Sequence, residues 1–313
     1  MVMPAPDAAA PASRRPAALG LVLASVLWGT TGTAAAAMPA AVSPLAIGAA
    51  TMGIGGLVLS ALSARPAIAL LRAPASRRWI LLGALGAVIY PLAFYTGMAW
   101  AGVAVGNVVA LGSGPIFAAV LEWAVDRQRP GRAWMVATSA ALIGIVLLAA
   151  TGHGADRAGA DSTPASLGVV CGLVAGAAYA LYTYAAARVI ATGAPSRAVM
   201  AGIFGGAAPV LLIVLVATGA ALVASPTALG LASYLVLGPM VLAYLLFGWG
   251  LRGVRSSVAT TITLLEPAVA TLLAVLVLHE RLGALGWVGL ALVLGAVVAL
   301  AAAGRRGRTE DHP

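Results

Sequence analysis

The sequence predicts an all-α membrane protein of ten transmembrane helices, arranged as two inverted five-helix repeats. Composition is the first ground: 62% of the residues are hydrophobic, 9% are charged and the mean hydropathy is +1.03, whereas soluble domains carry about 25% charged residues. A soluble core cannot absorb that much apolar sequence in 313 residues, because surface area grows too fast with size. The spacing of the apolar runs and the placement of the arginines are the second and third grounds.

Residues 1 to 16 are rich in Ala and Pro and end in Ser13-Arg14-Arg15-Pro16, which reads as a disordered cytoplasmic tail. The arginine pair before an apolar run has the look of a secretory or twin-arginine signal. That reading fails because the run is too long for a signal core, Pro16 follows the pair at once and many further spans follow. Windows of about 20 apolar residues, the length that crosses a bilayer, recur at roughly 17–37, 44–64, 79–99, 104–124, 134–151, 167–190, 198–219, 229–249, 258–278 and 286–303. Short connections carry turn residues such as Pro39, Ser43-Pro44, Pro130-Gly131, Gly193-Ala194-Pro195 and Ser225-Pro226. The longest connection, 152–166, is polar, with His153, Asp156, Asp161 and Pro164, and is expected on the outer side. It divides the chain into repeats at 17–151 and 167–303, and 304–313 forms a second cytoplasmic tail.

All eighteen basic residues are Arg, clustered between the apolar runs. With a cytoplasmic N-terminus, every arginine except Arg157 and Arg281 falls on the cytoplasmic side. One missed helix would swap the side of every later loop, so the positive-inside pattern checks the count. Both termini are expected in the cytoplasm and the protein in the cell inner membrane. The net charge of +9 is accordingly a topology signal and not a nucleic-acid footprint. Cys171, the single cysteine, excludes a disulfide within the chain and reads as a packing residue.

An internal repeat is visible in landmarks. Gly102-Val103, Pro115, Asp126-Arg127 and Trp134 recur at nearly equal intervals as Gly253-Val254, Pro267, Glu280-Arg281 and Trp287, with Gly114 standing where the second copy has Glu266. Five spans per half put the copies in opposite orientation, a common build of secondary transporters with a mid-membrane site.

Glu266-Pro267 is the sharpest feature. A carboxylate at mid-membrane costs roughly 2.5–3.5 kcal/mol and often marks a solute or proton path, and Pro267 frees a carbonyl that lipid cannot satisfy. Glu266 is a candidate for proton or cation coupling, or else a structural hydrogen-bonding group. Glu122, near the cytoplasmic end of its span, reads as a snorkelled, paired interface charge. Trp28, Tyr90, Phe94, Tyr95, Tyr179, Tyr182, Tyr184, Tyr244 and Phe247 lie within spans, as packing residues or as walls of an aromatic cavity. Trp79, Trp100, Trp123, Trp134 and Trp287 fall at span ends, as an interfacial belt does. Asn107, Ser113, Thr260, Thr261 and Thr263 place polar groups in the two equivalent proline-containing helices, for solute or for inter-helix bonds. Pro91, Pro115, Pro209, Pro239 and Pro267 predict helix bends. The sequence has no HExxH, GxSxG or Walker loop, and its histidines, His153, His279 and His312, lie in loops or the tail.

Several stretches resemble the drug/metabolite transporter superfamily, specifically the ten-helix exporters built from two EamA-type repeats. They are Leu27-Trp28-Gly29, Phe94-Tyr95-x-Gly97-Met98 with Gly102-Val103 and Pro115, Ala178-Tyr179-Ala180-Leu181-Tyr182, and Glu266-Pro267 followed by Glu280-Arg281-Leu282 and Trp287-x-Gly289. The first repeat departs from the family pattern, with Asp126-Arg127-Gln128-Arg129 where a Glu commonly ends the fourth helix. The resemblance implies export of small metabolites, most often amino acids, aromatic ones among them, or drug-like compounds. The resulting expectation is an alternating-access exporter and not an enzyme. Trp28, Tyr90, Tyr95, Asn107, Tyr179, Tyr244 and Glu266 would bind solute between the first, third, fourth, sixth, eighth and ninth spans, and Pro115 and Pro267 would shape the site. Expected partners are a small solute, the bilayer and a coupling proton, without cofactor, metal or nucleic acid, in a monomer or weak homodimer. An uncoupled facilitator with a structural Glu266 is the alternative, and a membrane enzyme acting on lipid a more distant one.

Overall fold

A computed structural model describes residues 14–101, 103–151, 165–277 and 283–303, and among these the regular structure is all helical. Among the described residues, nine helices are long and apolar enough to cross a membrane: α1 (Pro16–Ala35), α2 (Pro44–Leu62), α3 (Pro74–Met98), α4 (Val105–Asp126), α5 (Arg132–Ala150), α6 (Ser166–Ala191), α7 (Ser196–Thr218), α8 (Pro226–Gly250) and α9 (Ser256–Leu273). A shorter apolar helix, α10 (Ala284–Leu300), completes the ten. The tail before residue 14, the linker 152–164, the segment 278–282 with His279, Glu280 and Arg281, and the tail from 304 lie outside the described residues.

Local chemistry fixes several starts. The Ser43 hydroxyl accepts from the Ala46 N–H, with Pro44 at the first helical position, and Ser225 accepts from Ala228 with Pro226 placed likewise. The cap satisfies an orphan donor, and the proline lacks an N–H only where the helix had no use for one. Two stretches expected to be irregular are helical. Helix starts at Arg14, inside the expected tail. Ala64–Arg72 forms a short amphipathic helix in an expected loop: Ala67, Leu70 and Leu71 turn to the core while Arg65 and Arg72 stay exposed. Nine residues with two arginines are too short and too polar to register as an apolar span.

The helices pack with a two-fold exchange of halves. Helix α3 lies along α6 as α8 lies along α1; α4 lies along α6 as α9 lies along α1; α2 meets its counterpart α7, and α5 meets α10. Lipid supplies no hydrophobic drive between helices, so contact depends on small residues that let backbones close up. Gly144 of α5 and Gly289 of α10 meet reciprocally, a methyl on either falling 2.7 Å from the other's carbonyl oxygen. The spaced pairs Gly172/Gly176 and Gly202/Gly206 are used within the monomer, against α4 and α3 respectively. The outward faces remain apolar, with Ile213, Val216 and Leu285 exposed as lipid-facing residues are.

Two of the five prolines coincide with a change in helix type. A π-helical stretch, Val236–Leu242, surrounds Pro239, and α9 is broken at Thr263–Leu264 ahead of Pro267. Pro267 cannot donate to the Thr263 carbonyl, which accepts from the Glu266 N–H at 3.0 Å in a tightened turn instead. Pro91, Pro115 and Pro209 stay inside unbroken helices.

Candidate functional site

Helices α1, α2, α3, α4, α6, α8 and α9 converge on a cavity at mid-bundle. Its walls include Trp28, Thr51, Tyr90, Phe94, Tyr95, Leu111, Tyr179, Tyr182, Met240, Tyr244 and Glu266, and it holds about 80 Å³. Six of the seven residues expected to bind solute, Trp28, Tyr90, Tyr95, Tyr179, Tyr244 and Glu266, stand around this one space. Asn107 does not: α4 reaches the cavity through Leu111, one turn further along, and Asn107 sits half-buried toward the helix start. Pro115 and Pro267 are absent from the walls. Helix α2, omitted from the expected set, contributes Gly48, Thr51 and Met52, and a methyl at Gly48 would collide with the Tyr95 ring.

The aromatic rings form a continuous layer. Trp28 lies 5.0 Å from Tyr244 and 5.3 Å from Phe247, Phe204 lies 4.3 Å from Tyr244, Tyr179 lies 5.3 Å from Tyr182 and Tyr90 lies 5.8 Å from Tyr179, mostly tilted or edge-on. Several polar tips are satisfied inside the protein. The Trp28 indole donates to the Pro239 carbonyl at 2.8 Å, within the π-helical turn. The Tyr179 hydroxyl donates to Thr263 Oγ1 at 2.6 Å, whose own proton goes to the Thr260 carbonyl. Tyr182 and Tyr244 bond hydroxyl to hydroxyl at 2.9 Å. The Tyr90 and Tyr95 hydroxyls and the Glu266 carboxylate, by contrast, have no hydrogen-bond partner among the described residues.

The two repeats differ at the cavity in a way their sizes explain. A methyl at Gly114 would lie 2.9 Å from the Tyr179 ring, so the first repeat leaves space for an aromatic where the second places Glu266. Helix α1 passes α9 so closely that a methyl at Gly29 would come within 3.0 Å of the Glu266 carbonyl. Glu266 is thereby fixed beside Trp28 with its side chain turned to the cavity.

Glu122 corrects the sequence reading. It is only 6% exposed. Its carboxylate accepts from the Ser256 hydroxyl at 2.7 Å, the Ser257 N–H at 2.9 Å and the Ser257 hydroxyl at 2.7 Å. A helix N-terminus offers unpaired N–H donors and a positive dipole end, so a carboxylate is held there without a cation. Asp126, one turn on, pairs with Arg188 and accepts from the Tyr184 hydroxyl at 2.7 Å. Trp134, expected in the interfacial belt, is half-buried and donates to the Ser257 carbonyl at 3.2 Å. Trp79 also packs inward, edge-on to Tyr184 with Arg188 over its ring, whereas Trp100, Trp123 and Trp287 are exposed as belt residues are. Glu122, Asp126, Trp134, Tyr184, Arg188, Arg252, Arg255 and Ser256 surround a vestibule of about 590 Å³ on the face that gathers the arginines. It shares no lining residue with the central cavity.

Ten membrane-length or near-membrane-length helices in exchangeable halves around an aromatic cavity define a multi-pass membrane transporter. The chain belongs to the EamA-like transporter family, whose model matches residues 15–150 and 166–302, one copy on each half. It is similar to "Uncharacterized transporter YwfM" of Bacillus subtilis (strain 168), 35% identical over 300 residues, covering 94% of this chain and 96% of that one. A solved crystal structure of a protein superposes with a TM-score of 0.75 at 21% identity, covering 93% of this chain and 98% of the other, which shows the shared fold.

Proposed function

We propose that this transporter exports small amine-bearing metabolites, amino acids with aromatic side chains foremost and drug-like amines next, across the cell inner membrane by alternating access. The observation that carries the reading is Glu266: an unpaired carboxylate, flanked by the free hydroxyls of Tyr90 and Tyr95 and walled by aromatic faces. An ammonium group would complete the carboxylate, the rings would cover an apolar or aromatic body, and cation–π attraction to Trp28 or a tyrosine would add to the grip. Among the described residues the walls include no arginine, so an amine fits the site better than an anion. At about 80 Å³, the cavity is well below the roughly 300–1,000 Å³ of ligand pockets. The halves must part to admit a solute, as rocking repeats do.

Both termini are assigned to the cytoplasm on the arginine pattern, so the vestibule faces inward. Glu266 also serves as the coupling group, holding a proton in one half of the cycle and the solute amine in the other. Counterflow tests the reading. Liposomes containing the protein are loaded with unlabelled amino acid, and uptake of labelled tracer is followed for wild type and Glu266→Gln at several external pH values. Tracer accumulation that competitor abolishes and the variant loses supports a coupled transporter. Accumulation that survives in the variant without pH dependence identifies an uncoupled facilitator, and no accumulation with any amine from folded protein removes the reading.

A further inference from the structure

Among the described residues, the hydrogen bonds that join the two repeats are more numerous at one face of the membrane than at the other. On the arginine-rich face, Glu122 of α4 accepts three of them from Ser256 and Ser257 at the start of α9, and from α5 the Trp134 indole donates to Ser257 and Thr138 meets Thr261 at 3.0 Å. Each bond crosses from the first repeat to the second, so none survives a separation of the halves at this end.

The inverted repeat predicts what a symmetric molecule would have at the other face. The landmark pairs Gly102/Gly253, Pro115/Pro267 and Asp126/Glu280 set the offset between copies at 151 to 154 residues. Over that range the counterpart of Glu122 falls between Leu273 and Leu276, and the counterparts of Ser256 and Ser257 fall between Gly102 and Gly106. Both stretches, Leu273-Ala274-Val275-Leu276 and Gly102-Val103-Ala104-Val105-Gly106, lack any carboxylate or hydroxyl. Among the described residues, the cross-repeat bond at that face is the exposed contact of Thr30 Oγ1 with the Tyr234 hydroxyl at 2.6 Å, and the central cavity lies toward this more lightly fastened end. Its walls include Thr31, near the end of α1, and Gly48, near the start of α2, while on α6 Tyr182 lines the cavity and Tyr184, two residues further on, lines the vestibule.

The geometry points to Glu122 as the latch of the arginine-face gate. Its bonds to the start of α9 hold that end shut and make the state open toward the opposite face the resting one, and solute loading from the vestibule requires their release. Glu122 is a positioning residue in this scheme, acting through α9, which carries Glu266 to the cavity nine residues past Ser257. The inference rests on the alternating-access reading above, yet its test needs no solute.

In full-length protein with Cys171→Ser, single cysteines are placed at Ile262, which lines the vestibule, and at Thr51, which lines the cavity. Their labelling rates with a water-soluble maleimide are then compared. Loss of charge-assisted bonds of this kind shifts a two-state equilibrium by about tenfold or more. Glu122→Gln should therefore raise the Ile262-to-Thr51 rate ratio by about that factor, and Ser257→Ala, which leaves the carboxylate and one serine in place, should raise it less. An unchanged or lowered ratio in folded variants overturns the latch. So does a parallel rise at both cysteines, which signals loosening and not gating. A shifted ratio in a protein that carries out no counterflow upholds the latch and overturns only the transport reading.

Discussion

Two carboxyl groups in apolar helices end in opposite circumstances, and hydrogen bonding is what separates them. Glu122 is enclosed by three donors, so its removal orphans two hydroxyls and an N–H. Glu122→Ala should lower the thermal midpoint in detergent clearly, by an amount corresponding to roughly 1–3 kcal/mol for buried groups left unpaired. Glu266 has no such partners among the described residues, so Glu266→Gln should leave the thermal midpoint within experimental scatter while reducing counterflow at least about tenfold, the factor that loss of one charge-assisted contact gives. A large drop in midpoint for Glu266→Gln would show that the carboxyl is structural. The sequence pointed to Glu266 because it stands beside Pro267 in the middle of a span. It misread Glu122 because nearness to a span end resembles snorkelling, and only the fold shows that the start of α9 lies opposite with its serines.

Breaks in regular structure fall where polar groups are gathered, at the level of single helices. Helix α9 tightens at Thr263–Leu264 because Pro267 withholds a donor, and α8 widens around Pro239 into the π-helical stretch whose carbonyl receives Trp28. Pro267→Ala restores a donor for the Thr263 carbonyl. The folded protein should then be as stable or more stable, interior proline costing about 3 kcal/mol in an unkinked helix, while counterflow slows because Glu266 is turned from its place. A melting curve and an initial-rate assay on the same preparation check both halves of that expectation. Which helices exist was legible, since apolar windows need only composition, and so were most of the aromatic walls, since rings within spans are visible as letters. The part played by α2 was not, because Gly48, Thr51 and Met52 matter by what they leave room for. Asn107 stands outside the cavity wall for the converse reason: polarity in an apolar span marks a residue without saying how far along its helix the cavity extends. Ala64–Arg72 was hidden because an amphipathic helix of nine residues has the composition of a basic loop.

For the whole molecule, ten crossings would place an even number of spans between termini that carry like charge, and this gives a test of orientation independent of solute. If α1 to α10 all cross, the chain returns to its starting side, and the arginine clusters before α1, between α2 and α3, between α4 and α5, at the α6–α7 turn and before α9 all fall on one face. Loss of an earlier span would scatter those clusters over both faces, against the strong retention of arginine on the cytoplasmic side, whereas loss of α10 would move only Arg305, Arg306 and Arg308 to the other side. Helix α10 is the sensitive point, because its described apolar stretch is the shortest. Alkaline phosphatase, active only outside the cytoplasm, should therefore be inactive when fused after Pro313 and active when inserted within 152–164, and a fluorescent protein that matures only in the cytoplasm should give the reverse. Active phosphatase at the C-terminus would mean that α10 does not cross. The two repeats would then lose the equivalence that pairs α5 with α10, and the exchange of halves on which alternating access depends would fail with it.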